Sequence, residues 1–451
     1  MSSQEKSSPE KRRFGCGCLM TAAMSVLVVL VLSLVIWRMV SARRVETELA
    51  RLRAAGQPTT PEELAAFYET PNEGEDTTQL WLDGLQPIVT PEFSAKVAKL
   101  PIVGNSTIKP PEALDEEWPD LPAVRQMLID HQYSLDKFHA AAAKGGRARY
   151  SVKFQDGITA LLPHAQNLRT AARMLVLEVQ VRARDGDAHG VAESIHAIFM
   201  TARSLEQEPI FVSQLVRIAV HGIAVAQIES LLPQLEFAVE DLRMLQADLR
   251  SPDWHASLQR GLAGERATGI LTFRNPKGID SDFTGASFVM NNDDLFFYLQ
   301  LLQQLTDAAR EPWPQALQQA DQVEQRLKKV VGGSPIDKAR HIFTALMLPA
   351  TMAIFTASAR VDAGSQAADA AIAVELFRRK NGTLPAKLDE LVPDFLPQLP
   401  LDPFDGQPLR FIVRDDEYVV YSIGADRIDN GGQKQQNANN EIIFTVKRPA
   451  K

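Results

Sequence analysis

Residues 18–37, CLMTAAMSVLVVLVLSLVIW, decide how the rest of the chain is read. They carry no formal charge. At ~1.5 Å rise per residue such a run makes a helix about 30 Å long, the thickness of a bilayer's hydrocarbon core. A signal-peptide core is shorter, about 7–15 residues, and ends in small residues. Here Trp37-Arg38-Met39-Val40 follows instead. The sequence therefore predicts a retained transmembrane helix over residues 18–40, after a basic cytoplasmic tail over 1–17. Everything beyond has soluble composition and is expected on one membrane face.

Charge refines this picture. Of 48 Lys/Arg and 56 Asp/Glu, nine and four lie in residues 1–55, so that segment carries +5 of a net charge of −8 and the remainder −13. An acidic body without a basic stripe argues against nucleic acid as a partner. The basic flanks suit anionic headgroups of a lipid bilayer. Lys6, Lys11, Arg12 and Arg13 precede the apolar run, and Arg38, Arg43, Arg44, Arg51 and Arg53 follow it. This near-balance leaves the orientation to other signals. The expectation is single-pass topology with the tail inside and the body outside. Both cysteines, Cys16 and Cys18, stand at the membrane entrance, so the body has no thiol with which to form a disulfide.

Outward from the anchor, helical character continues through residues 45–53 to a stop at Gly56. Thr60-Pro61-Glu62-Glu63 has the form of a capping box opening a helix. The rest of residues 41–122 is Pro- and acid-rich and reads as a segment wrapped over the body. From 123 to 334 the periodicity is that of an α-helical body. Its clearest unit is a hairpin of helices over 164–184 and 187–205, joined at Asp185-Gly186-Asp187 and weakly tetratricopeptide-like. Further helices are expected over 209–232, 239–250, 253–267, 293–308 and 313–331, with a polar loop at 275–292. Gly332-Gly333-Ser334-Pro335 marks a boundary, followed by one helix over 336–380 kinked at Pro349. The period then changes to strands at 409–413, 418–422 and 441–446, around a polar low-complexity loop at 433–440. The fold class is mainly α, with a small α+β domain and antiparallel sheet over 335–451.

The order of motifs in this last domain is informative. Ala371-Ile372-Ala373 through Phe377 lie on the helix, followed by Asn381-Gly382-Thr383-Leu384-Pro385. Leu391-Val392-Pro393 and Leu399-Pro400-Leu401-Asp402-Pro403-Phe404-Asp405-Gly406 come next, then Tyr421-Ser422-Ile423-Gly424-Ala425-Asp426 and Gly431-Gly432. Residues 367–446 thus resemble the C-terminal half of the major pseudopilin (protein G) family of type II secretion systems. The resemblance implies a helix packed on a small antiparallel sheet outside a bacterial membrane, and with the anchor it places the chain in a bacterial inner (cytoplasmic) membrane with the body in the periplasm. Two features depart from that family. Phe14-Gly15-Cys16-Gly17-Cys18 opens the membrane helix without the family's early glutamate, and a helical body separates the helix from the sheet. The whole layout resembles uncharacterised single-pass membrane proteins of planctomycete-type bacteria. The pseudopilin sheet commonly ends in a calcium loop, and the matching positions are Ser422, Asp426, Asp429 and Asn430. Hard oxygen donors in a Gly-rich loop suit Ca2+. The same residues suit a plain solvated turn.

No catalytic signature accompanies these features. His189 and His196, and His131 and His139, lack metal-motif spacing, and no phosphate-binding or nucleophile-elbow motif occurs. Glu265 and Arg266 are adjacent on a helix and point to different faces. The apolar faces at 168–179 and 215–228 read as core, or as a partner groove where left open. The expected function is a non-enzymatic, membrane-anchored scaffold or binding protein of the envelope with a protein partner. The alternatives are a secretion pseudopilin-like assembly component and an envelope hydrolase with a dispersed site.

Overall fold

The computed structural model describes residues 16–106, 109–275, 292–433 and 441–447. Helix α1 runs Cys16–Ala54 without interruption. Large apolar residues from Met20 to Val40 are exposed, and the character then changes. Ser41, Val45, Leu49 and Leu52 are buried at spacings of four and three, a single helical face packed on the body. One continuous rod therefore exposes its large apolar residues from Met20 to Val40 and is embedded along one face from Ser41 to Leu52.

The wrapping segment carries α2 (Pro61–Phe67), α3 (Thr78–Leu85) and α4 (Pro91–Val97). Thr60 caps α2 by accepting the Glu63 N–H, but the expected reciprocal bond is displaced by one residue. The Glu63 carboxylate accepts from the N–H and hydroxyl of Thr59, at 2.7 and 2.8 Å. Buried aromatics fasten the segment down. Trp81 stacks on Phe138 with ring centroids 5.8 Å apart, and Arg184 lies over the Trp118 ring.

The body continues through α5 (Leu121–Asp130), α6 (Gln132–Ala143), α7 (Pro163–Arg184), α8 (Ala188–Arg203), α9 (Phe211–Leu231) and α10 (Val239–Arg250). The α7–α8 turn forms as expected, because Gly186 takes a left-handed φ of 73° and Asp187 caps α8 through the Gly190 N–H. Helix α11 (Trp254–Arg274) extends well past residue 267. Its glycines permit close crossings: a Cβ on Gly264 would sit 1.6 Å from the Pro209 carbonyl oxygen. Next come α12 (Asn292–Ala308) and α13 (Gln315–Val331).

Beyond the Gly-rich break, Ser334 and Asp337 form a complete capping box on α14 (Pro335–Arg340). The single helix expected over 336–380 is divided at His341, not at Pro349. His341 leaves helical geometry at φ −121°, and α15 (Ile342–Asn381) then runs through Pro349. Helix α15 serves two cores. Its early residues Leu348, Ile354 and Phe355 pack with Val45 and Leu49 of α1, Leu302 of α12 and Val323 of α13. Its later residues Ala371, Ile372 and Val374 join Leu175, Ile198, Val220, Tyr418 and Phe444. The break at residue 334 thus separates helices, while the packing runs across it.

Strands β1 (Arg410–Val413), β2 (Glu417–Ser422) and β3 (Ile442–Lys447) form an antiparallel sheet in the order β1-β2-β3. Val420 pairs with Phe411 on one side and Phe444 on the other. Tyr418 reaches α15, donating its hydroxyl toward the Ala371 carbonyl and the Glu375 carboxylate at 3.1 and 3.0 Å. Residues expected at 276–291 and 434–440 as polar loops lie outside those described.

Candidate functional site

The four residues expected to hold calcium sit in the turn after β2, and each has protein partners. The buried Ser422 hydroxyl donates to Asp402 Oδ1 at 2.8 Å. Asp426 accepts the Ile428 N–H, closing a local turn. Asp429 Oδ1 accepts the Tyr421 hydroxyl and the Gly431 N–H, while Oδ2 lies 3.6 Å from Arg410 Nε. Asn430 donates its side-chain amide to the Ile428 carbonyl and its backbone N–H to Glu441. The fold brings Ser422 to Asp402, and Asp429 to Arg410 and Tyr421. Among the described residues no group of three or more His, Cys, Asp or Glu side chains is arranged to hold a metal ion.

The organising group of this loop is Asp402, which is fully buried. Its carboxylate accepts from the Ser422 hydroxyl, the Phe404 and Ile423 N–H groups and the Arg410 guanidinium. Four donors around one buried carboxylate replace the water it has lost. Asp402 ties the turn before β1 to the turn after β2.

The helical body holds comparable buried centres. Glu208, fully buried, accepts from His164 at 2.8 Å, Tyr68 at 3.3 Å and the Ser213 hydroxyl. Arg217 pairs with Glu206 at 3.0 Å, bonds Ser257 and lies over the Trp254 ring; burial pushes it down to about 10. Burial, with Arg217 nearby, pushes His221 down to about 3, so it is a neutral imidazole bonded to Ser365. Sequence reasoning passed over these centres. Glu208 and Asp402 each precede a proline, and an acid fixed in a turn between apolar segments is the signal the sequence offers.

Three of the four histidines singled out above contact carboxylates, and the fourth, His131, bonds the Met127 carbonyl at 2.8 Å. His189 meets Asp241 and His196 meets Asp248, each at 2.8 Å, so residues seven apart on α8 face residues seven apart on α10. Burial opposes charge on His196, but the bond to Asp248, that carboxylate's charge and a bond to the Ala142 backbone together raise the imidazole. The bond to Asp241 likewise raises His189. His139 bonds Glu178, which Arg182 and Ser194 also hold. Glu265 and Arg266 diverge as their spacing implies. Burial pushes Glu265 up to about 7 beside the Tyr298 hydroxyl. Arg266 turns inward to Gln57 and Thr306.

Two open recesses mark the surface. One, of about 650 Å³, lies between α12 and α13 and is lined by glutamines with Asp307 and Arg326. The other, of about 300 Å³, lies under α4 beside Asn167 and Thr170. Glu265, His221 and Arg217 lie outside both recesses.

The remaining exposed feature is the point where α1 leaves the body. Trp37 donates its indole N–H to Asp293 at 3.0 Å, on the first turn of α12. Further along, Arg274 pairs with Glu46, and Arg51 reaches Glu48 and Gln303. Contacts at 37 with 293 and at 51 with 303 make α1 and α12 parallel neighbours. Among the described residues α1, α9 and α15 are long and apolar enough to cross a bilayer, and only the apolar window of α1 is 0% buried. Comparison with protein-family models, curated proteins and solved structures gives no match for this chain.

Proposed function

We propose that this chain is a non-enzymatic, single-pass membrane-anchored scaffold or binding protein of the bacterial envelope, its body on the outer side. The observation that carries this reading is the continuity of α1. An apolar half whose large side chains from Met20 to Ile36 stand exposed runs as one helix into a half whose Val45, Leu49 and Leu52 are fixed in the core. Such a rod holds the body at a set distance and angle from a bilayer, which a flexible linker would not.

Support for a scaffold over a hydrolase comes from the buried charges. Glu208 meets His164, Arg217 meets Glu206 and Asp402 meets Arg410 inside the protein, and Glu265, His221 and Arg217 lie outside both recesses. The helical hairpins, weakly tetratricopeptide-like, and the pseudopilin-like tail are the surfaces offered to a protein partner. A plain turn at Asp426–Asn430, without calcium, is favoured because Arg410 lies beside Asp429 and already balances its charge. Fractionation of cells making the full chain tests the anchor: it stays with membranes through alkaline extraction and leaves only with detergent. Recovery in the soluble fraction without detergent overturns the reading. Protease added to spheroplasts tests sidedness, with digestion of the body expected. Crosslinked pull-down from membranes then tests the scaffold role; capture of one reproducible partner is expected.

A further inference from the structure

The corner of the body around the α1 exit brings together α1, α12, α13 and the start of α15. Asp293 and Asp294 open α12. The first takes the Trp37 indole, and the second accepts the Phe343 N–H at 3.1 Å and the Thr344 hydroxyl at 2.5 Å. Adjacent carboxylates therefore fix the start of α15 beside the point where α1 emerges. His341 packs on the Phe297 ring and Arg326 lies over the same ring, which brings the end of α13 to this corner.

Two features of this corner point the same way. From residue 341 to 359 there is no Asp, Glu, Lys or Arg. On the open side of that stretch Ile342 is 46% and Leu346 62% exposed, one helical turn apart, and Pro349 and Ala353 continue the stripe. Lys338 and Arg340 are exposed on the preceding helix, Lys328 and Lys329 on α13, and Arg43 and Arg44 on α1. Apolar side chains edged by cations, next to a membrane exit marked by tryptophan, form the pattern of an interfacial contact with anionic lipid.

We propose that the outward face of α14 and the first turns of α15 lies in the interface of the bilayer that α1 crosses. Ile342 and Leu346 sit at the headgroup–acyl boundary, and Lys338 and Arg340 lie among anionic headgroups. The inference rests on reading α1 as the anchor. It adds that the body is laid against the leaflet, with its orientation fixed by two contacts instead of one.

The test uses the full chain carrying Cys16→Ser and Cys18→Ser, reconstituted in vesicles of mixed phosphatidylcholine and phosphatidylglycerol. A nitroxide is placed in turn on Ile342→Cys, Leu346→Cys, Val29→Cys in the apolar half of α1, and Ile129→Cys, an apolar site 66% exposed on α5. Collision rates with oxygen and with a water-soluble nickel chelate are then measured by electron paramagnetic resonance. Chelate access several-fold lower at 342 and 346 than at 129, with 29 shielded as well, is the expected result. If 342 and 346 match 129 while 29 is shielded, the proposal is overturned and the anchor stands. If 29 is open to the chelate, the anchor reading falls and the proposal with it.

Discussion

Helices α1 and α15 are nearly the same length, 39 and 40 residues, and both contain a window apolar enough to cross a membrane. Their surroundings differ completely. The window in α1 is 0% buried, whereas that in α15 is 47% buried by the body it helps to build. The difference teaches that apolarity fixes the demand for burial but not what satisfies it. Helix α15 meets that demand with protein, and it carries Asp362, Asp369 and Glu375 along its length because protein partners are there to receive them. The exposed half of α1 carries no charge from Met20 to Trp37.

Charge insertion should therefore break the two helices in opposite ways. Val29→Arg with Val31→Arg places two cations at the middle of the exposed run, at about 2.5–3.5 kcal/mol each on insertion scales. Loss of the membrane-bound fraction is expected, with the released body keeping its helical circular dichroism. Ile372→Arg, at a position with no exposure, should do the reverse: the chain stays in membranes but loses cooperative unfolding. Equal behaviour of the two variants would show that the helices do not differ in their surroundings.

The second effect concerns one charge that α15 retains. Asp369 accepts from Gln246 and forms a two-point pair with Arg250 at 2.6 and 2.8 Å. Asp369→Ala leaves Arg250 without its carboxylate in a partly buried position, an expected loss of about 3 kcal/mol. Urea unfolding of the detergent-solubilised protein measures it. A midpoint unchanged from the parent would mean that α10 does not depend on α15 for this contact.

How much of this contrast was legible in the sequence depends on range. Residues 18–37 need only their own length and lack of charge to be read as a rod for lipid. The α7–α8 hairpin is similarly local, since Gly186 and Asp187 specify their own turn. The strands at 410–413, 417–422 and 442–447 fall within a residue of their period-2 signal. What escaped was non-local. Nothing in the sequence near residue 349 says that the helix breaks at His341 instead, because that break is set by Asp294 of a different helix accepting from Phe343 and Thr344. Likewise the side-chain partners of Ser422 and Asp429, two of the residues expected to hold calcium, are not local. Asp402 and Arg410, which engage Ser422 and Asp429, lie earlier in the chain and across the sheet.

A third contrast is in titration. Burial, reinforced by the charge of Asp253, pushes Asp362 of α15 up to about 6. A carboxyl raised in the folded state contributes stability that is complete below its unfolded value near 3.8 and is lost as pH rises through about 6. Asp362→Asn should remove this dependence. The variant should gain on the parent by up to roughly 2–3 kcal/mol between pH 4 and pH 8, as read from urea midpoints. A constant difference between variant and parent across that range would show that Asp362 ionises normally.

The smallest effect tests whether the C-terminal sheet belongs to α15 or merely lies beside it. Tyr418 is fully buried, and its hydroxyl bonds both a backbone carbonyl and the Glu375 carboxylate on that helix. The ring stays in Tyr418→Phe, so packing is preserved and only the hydroxyl's bonds are lost. Glu375 keeps its pairing with Arg378, which limits the penalty on the orphaned carboxylate. A loss of about 1 kcal/mol in a single unfolding transition is expected. A sheet that unfolds separately would instead show the loss in its own transition, with the helical signal unmoved. In that case the second half of α15 would resemble the first half of α1: an apolar helix whose neighbour is optional.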